Sequence, residues 1–206
     1  DGYRRRTQVT AELLTAGKKL KVVGRAGIGV DNVDVEAATE RGILVVNAPT
    51  ANLMSATEHT FALLLAVARN VPAADASMKA GVWDRKSFLG VELQGKTLGV
   101  IGFGRIGQRV AARARGFEMQ VVAFDPFLDE QAARKLEVEL LPSEALLARA
   151  DVVTLHTPLT EQTRNLLSRE RIAGMKPGAL LVNCGRGGVV DEEALLAALE
   201  SGALGG

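Results

Sequence analysis

Three glycines in the middle of the chain, Gly102, Gly104 and Gly107, are spaced to hold a phosphate against bare backbone. They lie in Gly102-Phe103-Gly104-Arg105-Ile106-Gly107, between an apolar run at 97–101 and a stretch of helical pattern. A second apolar run at 121–124 then ends in Asp125. Strand, glycine turn, helix, strand and acid in that order fit a site that holds a dinucleotide by its pyrophosphate and its ribose. Gly102 permits a tight turn out of the strand, and Gly104 lets backbone amides approach the pyrophosphate with no Cβ in the way. Gly107 lets the helix pack closely on the sheet. The unpaired amides at the helix start, around Arg105 and Ile106, and the positive end of the helix dipole favour the phosphates. Asp125 stands about twenty residues on, where a carboxylate accepts from both ribose hydroxyls of NAD and repels the additional phosphate of NADP. NAD is therefore the expected cofactor.

Further candidates follow other apolar runs. His156-Thr157-Pro158 comes after 152–155, and Asn183-Cys184-Gly185-Arg186-Gly187-Gly188 after 179–182. Thr157 and Pro158 are expected on the adenine side, and the glycine-flanked loop near the nicotinamide. An arginine between glycines at a strand end can grip a carboxylate and polarise a neighbouring carbonyl, which makes Arg186 the candidate for the chemistry. The alternative is an arginine that satisfies loop carbonyls. Cys184 has no histidine evident beside it, so a cysteine nucleophile is not expected. His156 could take a hydroxyl proton near neutral pH, but its place before Thr157-Pro158 points it at the adenosine end. His59 lies within a helical pattern, where a packed, satisfied histidine is expected. Arg25, in Arg25-Ala26-Gly27-Ile28-Gly29 just past a strand's end, could pair with an anionic substrate or be a surface arginine.

The elements that must position these groups alternate along the chain. In 1–48, Thr10 caps a short helix toward Gly17, 20–23 reads as a strand, 34–41 as a helix stopped by Gly42, and 43–46 as a second strand. Two strands and two short helices cannot bury a core alone, so part of a larger domain is expected there. After Pro49, Ser55-Ala56-Thr57-Glu58 reads as a capping box opening a long helix to about Arg69. Phe61, Leu64, Leu65 and Ala68 recur on its inward face. Pro72 suits the first turn of a second helix, which Gly81 ends. Residues 82–95 form a polar connection around Trp83, with Asp84, Arg85 and Lys86 beside it; a subunit contact and plain surface are both open.

Beyond the glycine motif, helices are expected at 129–136, 142–150, 168–175 and 191–200, and strands at 138–141, 152–155 and 179–182. That alternation implies an α/β chain with a doubly wound parallel sheet. Gly102, Asp125, His156 and Asn183 all follow strand ends, so one edge of the sheet should gather them. Arg109 and Arg113 fall on an expected outer, solvated face. Ala203-Leu204 reads as the entry to another strand, so the sequence is expected to be a piece of a longer chain.

Composition bounds the rest. The sequence has 206 residues, 47% of them apolar, and a formal net charge of +1, as an ordinary folded protein does and a disordered one does not. It carries no basic patch suited to nucleic acid, and Arg4-Arg5-Arg6 reads as a solvated terminus. No apolar run approaches membrane-spanning length and no signal peptide opens the sequence, so neither membrane nor export is expected. The single cysteine excludes an internal disulfide and agrees with a reducing cytoplasm. No metal site is expected.

Three stretches in order carry a resemblance: LGVIGFGRIGQRVA with VVAFDP, then VVTLHTPLTEQTRNLL, then MKPGALLVNCGRGGVVDEEALLAAL. They resemble the NAD-dependent D-2-hydroxyacid dehydrogenases over essentially the whole sequence. RAGIGVDNVDVEAATERGILVVNAP and MKAGVWDRKSFLGVEL narrow the resemblance to members acting on 3-phosphoglycerate, at the first step of serine synthesis. It implies a flavodoxin-like substrate domain, part of it in 1–48, with a Rossmann domain inserted into it. That Rossmann domain would occupy 49–206, led by a crossover helix that helps form a homodimer or homotetramer.

By the same resemblance Arg105, Ile106, Asp125, Thr157, Cys184, Gly185 and Arg186 match NAD-contacting positions. Arg186 matches the catalytic arginine, which binds the substrate carboxylate and carbonyl, and Arg25 and Asn52 match substrate-side positions. Ile28 departs from the pattern, where a threonine touching the cofactor is common. The family's catalytic histidine, the glutamate that tunes it and an aspartate near the nicotinamide would fall beyond Gly206. The resemblance therefore implies NAD binding with little turnover by the sequence as it stands. Two other readings share the fold: a dehydrogenase of another D-2-hydroxy acid, such as glyoxylate, hydroxypyruvate or lactate, and an NAD-responsive corepressor-type scaffold.

Overall fold

The computed structural model describes residues 7–206, and the Arg4-Arg5-Arg6 cluster lies outside the described residues. The chain divides into two compact units between Leu53 and Met54.

In the first unit, helix α1 (Ala11–Ala16) is capped by Thr10, whose hydroxyl accepts from the Leu13 amide. Strand β1 (Val22–Arg25) pairs in parallel with β2 (Leu44–Asn47). Between them runs α2 (Val35–Glu40), capped by Asp34 and stopped at Gly42, whose φ of +65° suits only a residue without Cβ. Leu14, Ala37, Ala38 and Ile43 make a small core. β1 starts two residues later than the apolar run suggests, because Gly17 to Leu20 closes a turn first (Leu20 N–H to Gly17 C=O, 2.8 Å). Arg25 is consequently the last residue of the strand and does not follow it.

The second unit opens with α3 (Leu53–Ala68), which begins ahead of Ser55. Ser55 therefore lies inside the first turn and the expected capping box does not form. The inward face is as expected: Phe61, Leu64 and Ala68 are buried, with Leu65 packed alongside. His59 is a correction: it stands exposed on the opposite face and is not packed in the core. α4 (Val71–Lys79) follows, with Pro72 in its first turn and Gly81 just past its end. The connection beyond it exposes Trp83 (74%) and Leu89 (81%), and the Ser87 side chain, together with the Ser87 and Lys86 amides from which Asp84 accepts, lowers the Asp84 pKa.

Then comes the strand–helix alternation: β3 (Thr97–Ile101), α5 (Arg105–Gly116), β4 (Gln120–Phe124), α6 (Glu130–Lys135), β5 (Glu139–Leu140), α7 (Ser143–Arg149), β6 (Val152–Leu155), α8 (Arg169–Ala173), β7 (Leu180–Asn183) and α9 (Glu192–Glu200). The five strands form one parallel sheet in the order β5-β4-β3-β6-β7. This order reverses direction between β3 and β6, the switch point where open α/β sheets bind ligands. Every residue of β3 and β6 is buried, which suits their mostly apolar composition: both faces are covered by helices. β5 keeps only two residues of its predicted four, since Val138 is bonded back to Ala133 and Leu141 leaves for Pro142. Leu204 makes a parallel bridge to Ala179 and the Leu181 amide donates to the Gly206 carbonyl, so the tail runs along β7 as a strand would.

Two cores flank the sheet. Leu98, Val100, Phe103, Val110 and Ala114 lie in one, and Ile101, Leu146, Val153, Leu155 and Leu167 in the other. α7 rests directly on β3 because Gly99 presents no side chain: a Cβ there would meet Leu146 Cδ2 at 2.5 Å and Ala150 Cβ at 2.9 Å. Gly99→Val should therefore lower stability by about 2 kcal/mol or more through overpacking, read as a reduced urea midpoint with an unchanged slope.

Candidate functional site

The glycine turn is held by its own backbone. Gly102, at φ +90°, receives no side chain because a Cβ would lie 2.9 Å from the carbonyl of His156 and 3.0 Å from Thr157 Cγ2. A Cβ on Gly107 would fall 2.3 Å from the Gly102 carbonyl oxygen, so helix and turn touch backbone to backbone. Gly104 differs: nothing lies within 4 Å of its missing Cβ, and the space above it is open. It is also the N-cap of α5, without a side-chain cap, whereas Thr10, Asp34, Asp129, Ser168 and Asp191 cap their helices with side-chain oxygens. The amides of the first turn of α5 and its dipole thus face an open, glycine-floored space suited to an anion.

Asp125 stands half-buried one residue past β4. Its Oδ2 accepts from the Phe103 amide (2.8 Å) and its Oδ1 from the Phe127 amide (2.9 Å). The carboxylate is therefore fixed beside the glycine turn by two backbone donors. Each oxygen keeps a lone pair for an incoming hydroxyl. Phe103 itself is buried in the core, and Gln108 Nε2 donates to its carbonyl (3.0 Å). Sequence reading passed over both residues. Phe103 sits where the motif allows any residue, and Gln108 follows its last glycine.

The turn after β6 meets the same edge. Thr157 Oγ1 is buried with no hydrogen-bond partner, the one such side-chain atom among the described residues. His156 bonds through Nε2 to Thr154 Oγ1 (3.0 Å), and burial pushes its pKa down to about 4, so the ring is neutral near pH 7. The loop after β7 closes against that turn: a Cβ on Gly185 would lie 3.4 Å from both the Leu155 and the Thr157 carbonyl oxygens. Asn183 staples it, accepting from the Gly185 amide and donating to the Arg186 carbonyl, both at 3.0 Å. Arg186, half-buried, gives Nη1 to the Gly185 carbonyl (3.0 Å), as the alternative reading of this arginine anticipated. Cys184 packs partly against the core.

Gly102, Gly104, Gly107, Asp125, Thr157, Gly185 and Arg186 thus share one sheet edge, with Arg105 exposed and Ile106 half-buried on the first turn of α5. Arg109 and Arg113 are less free than predicted, each directing a guanidinium nitrogen to Met54 Sδ at 3.8 and 3.7 Å. Arg25 and Asn52 belong to the first unit. There Arg25 Nε donates to Asn32 Oδ1 (3.0 Å), and Asn52 is exposed just ahead of α3. A cleft of about 410 Å³ lined by Leu65, Arg69, Leu93 and Phe117 lies where β3 and β4 begin, at the opposite end of the sheet from Gly102 and Asp125. No cluster of His, Cys, Asp and Glu suited to a metal occurs among the described residues, and none of their helices is long and apolar enough to cross a membrane.

A five-stranded parallel sheet with this order, an uncapped glycine helix start and an acid after the second strand define a Rossmann-type dinucleotide-binding domain. Residues 61–206 match the family model described as D-isomer specific 2-hydroxyacid dehydrogenase, NAD binding domain, and the chain belongs to that family. It is 55% identical over 197 residues to D-3-phosphoglycerate dehydrogenase of Methanocaldococcus jannaschii, covering 95% of this chain and 38% of that relative's length. Among solved structures, the TT0316 protein from Thermus thermophilus superposes with a TM-score of 0.89 at 46% identity, over 97% of this chain and 63% of that one. D-lactate dehydrogenase from Aquifex aeolicus, complexed with NAD and lactic acid, gives a TM-score of 0.87 at 35% identity, over 97% and 60%. The cofactor of the family is NAD, as the glycine turn and Asp125 led us to expect.

Gly104→Ala and Gly107→Ala should separate binding from stability. The first adds a methyl to open space at an ordinary φ, so its melting temperature should stay within a degree or two, while NADH affinity falls roughly tenfold as the methyl enters the phosphate's approach. The second drives a methyl into a carbonyl and should lower the melting temperature by several degrees. His156 generates a pH dependence. Above its ordinary value of 6.5 both folded and unfolded chains carry it neutral, at no cost. Between 6.5 and about 4 the unfolded chain takes the proton and the folded chain does not, so stability drains across that window by roughly 3 kcal/mol at its limit. Denaturant melts at pH 7 and pH 4.5 should show His156→Gln losing less on acidification than the wild type.

Proposed function

We propose that this chain supplies the cofactor-binding and carboxylate-gripping part of an NAD-dependent dehydrogenase that oxidises 3-phosphoglycerate to 3-phosphohydroxypyruvate, the opening step of L-serine synthesis. The observation that carries the reading is the convergence of an open anion cradle, a fixed carboxylate and a glycine-flanked arginine on one sheet edge. It is supported by 50–55% identity to relatives named D-3-phosphoglycerate dehydrogenase.

In this reading the glycine turn and the amides near Arg105 and Ile106 hold the pyrophosphate, while Gly107 brings the helix close enough to present them. Asp125 accepts from the adenosine ribose hydroxyls with the lone pairs its two amide bonds leave over. A 2′-phosphate at that point would meet the same negative charge, which sets NAD above NADP. Thr157 lines the cofactor on the adenine side, and Cys184 and Gly185 line it toward the nicotinamide. When bound, NAD supplies the acceptor for the hydride that leaves the substrate C2. Arg186, which donates to the Gly185 carbonyl, binds the substrate carboxylate and the oxygen that becomes a carbonyl. Arg25 and Asn52 act on the substrate side, where the Asn32 amide oxygen orients the Arg25 guanidinium that would pair with an anion.

The buried ring of His156 is turned onto Thr154, so we assign it no part in proton transfer. Residues 1–48 serve as part of a flavodoxin-like substrate domain and 49–206 as the NAD-binding domain. Exposed Met78, Val82, Trp83 and Leu89, after α3, favour a homodimer surface there, to be checked by light scattering. A cytoplasmic, soluble metabolic enzyme agrees with the single free cysteine.

A second reading, oxidation of another D-2-hydroxy acid, is favoured by the 35% identity to D-lactate dehydrogenase. The protein at its full natural length, assayed with 3-phosphoglycerate, D-lactate and glycolate under NAD and NADP, should prefer 3-phosphoglycerate with NAD. Preference for an unphosphorylated acid would replace the substrate assignment and leave the cofactor assignment standing. Asp125→Ala should weaken NADH binding roughly 10- to 100-fold, the loss of charge-assisted hydrogen bonds, and narrow the preference over NADPH. Equal NADH affinity would remove the ribose role.

A further inference from the structure

Two polar side chains on β6 and the turn after it, Thr154 fully buried and His156 half-buried, are drawn out of solvent, and the chemistry above uses neither. Thr154 is 1% exposed in the middle of a strand otherwise composed of Val152, Val153 and Leu155. His156, two residues on and therefore on the same face, reaches back to it, Nε2 to Oγ1, at 3.0 Å. Burying a hydroxyl and an imidazole in an apolar layer costs free energy unless they satisfy one another, and here they do. A valine at 154 and a leucine at 156 would fill the same layer without that cost.

What the pair holds in place is the turn at the switch point. The His156 amide donates to the Ile101 carbonyl (2.8 Å), and the His156 carbonyl lies against Gly102, where no Cβ would fit. The next residue, Thr157, presses its methyl toward Gly102 and its carbonyl toward Gly185. Its hydroxyl is left buried and unpartnered. An unsatisfied buried hydroxyl is tolerated where a ligand completes it, and this one lies between the glycine turn and the loop that carries Arg186.

We infer that His156, through its hydrogen bond to Thr154, is a positioning residue for the dinucleotide: it fixes the turn after β6 so that the Thr157 hydroxyl is presented to a polar oxygen of the bound cofactor. This rests on the NAD-binding reading of the same edge. His156 does not touch the cofactor or the reacting atoms in this scheme. It removes the freedom of the turn that would otherwise let the hydroxyl swing to a backbone carbonyl and satisfy itself.

Fluorescence titration of NADH into the 206-residue chain tests it. His156→Leu and Thr154→Val should each raise the dissociation constant roughly tenfold. His156→Gln, whose amide nitrogen can reach the place of Nε2, should stay within about twofold of wild type. The decisive comparison is made in a Thr157→Val background, where adding His156→Leu should weaken binding no further, because the group being positioned is gone. A role in stability alone would lower the melting temperature while leaving the affinity of the folded chain unchanged. A folded His156→Leu chain with wild-type affinity, or full additivity with Thr157→Val, overturns the inference. Should His156→Leu not fold, the Thr154→Val and Thr157→Val pair decides in the same way. Failure of the wild type to bind NADH would remove the cofactor reading and this inference with it, whereas wild-type binding with a silent His156→Leu removes the inference alone.

Discussion

Backbone touches backbone where α5 leaves the sheet, and much of the second unit is arranged around that contact. With 2.3 Å between an imagined Cβ of Gly107 and the Gly102 carbonyl, the helix can approach only as bare main chain. Close approach aims the helix start along the edge of β3, and it forces Gly102 into a left-handed conformation that a Cβ would strain. The contact is sterically fragile, so it needs anchors on each side. Phe103 provides one by burying its ring, and Asp125 provides another by holding the Phe103 amide. A hydrophobic group of this kind contributes about 2 kcal/mol by burial, comparable with the net worth of the charge-assisted hydrogen bond beside it. The ring holds the turn; the carboxylate sets its orientation.

The same logic explains why so much of the edge is main chain. Its groups converge from β3, β4, β6 and β7, and each loop is tied to a neighbour by backbone or by a short amide side chain. Asn183 ties its own loop twice, and Gly185 lets that loop lie on the carbonyls that end β6. Long flexible side chains would lose more rotamer entropy on being fixed than these bonds return. Arg186 is the exception, and its first hydrogen bond, to the adjacent carbonyl, reduces that freedom before any ligand arrives.

Much of this was legible in the sequence because the signals were local. Glycine spacing, an acid after the second apolar run, the cap at Thr10 and helix starts at Asp34, Asp129, Ser168 and Asp191 each depend on neighbours within a few residues. The resemblance then supplied roles for Thr157 and Arg186 that spacing alone had left open. What escaped depends on partners far along the chain. Ser55-Ala56-Thr57-Glu58 has the form of a capping box, yet the helix starts two residues ahead of it, at Leu53, so a local signal lost to tertiary context. His59 looked like a packing residue because it sits among apolar neighbours, but its turn of α3 carries it to the exposed face. The Phe103–Asp125 bond spans 22 residues, and nothing in either residue's neighbourhood announces it.

These two kinds of signal bear differently on what the protein does. Groups recognisable from spacing are those that a dinucleotide requires of any scaffold, and relatives with different substrates in their names share this chain's fold. Features found only in the structure, the Thr154–His156 pair and the Asn183 staple among them, govern how rigidly those groups are presented. A dinucleotide bound by amides and one carboxylate gains little from strong individual contacts, since each competes with water. It gains from having the contacts already in place, because the entropy of ordering the loops has been met in folding. On that argument the Thr154–His156 pair under the edge takes part in the cofactor binding we propose, as the glycines above it do.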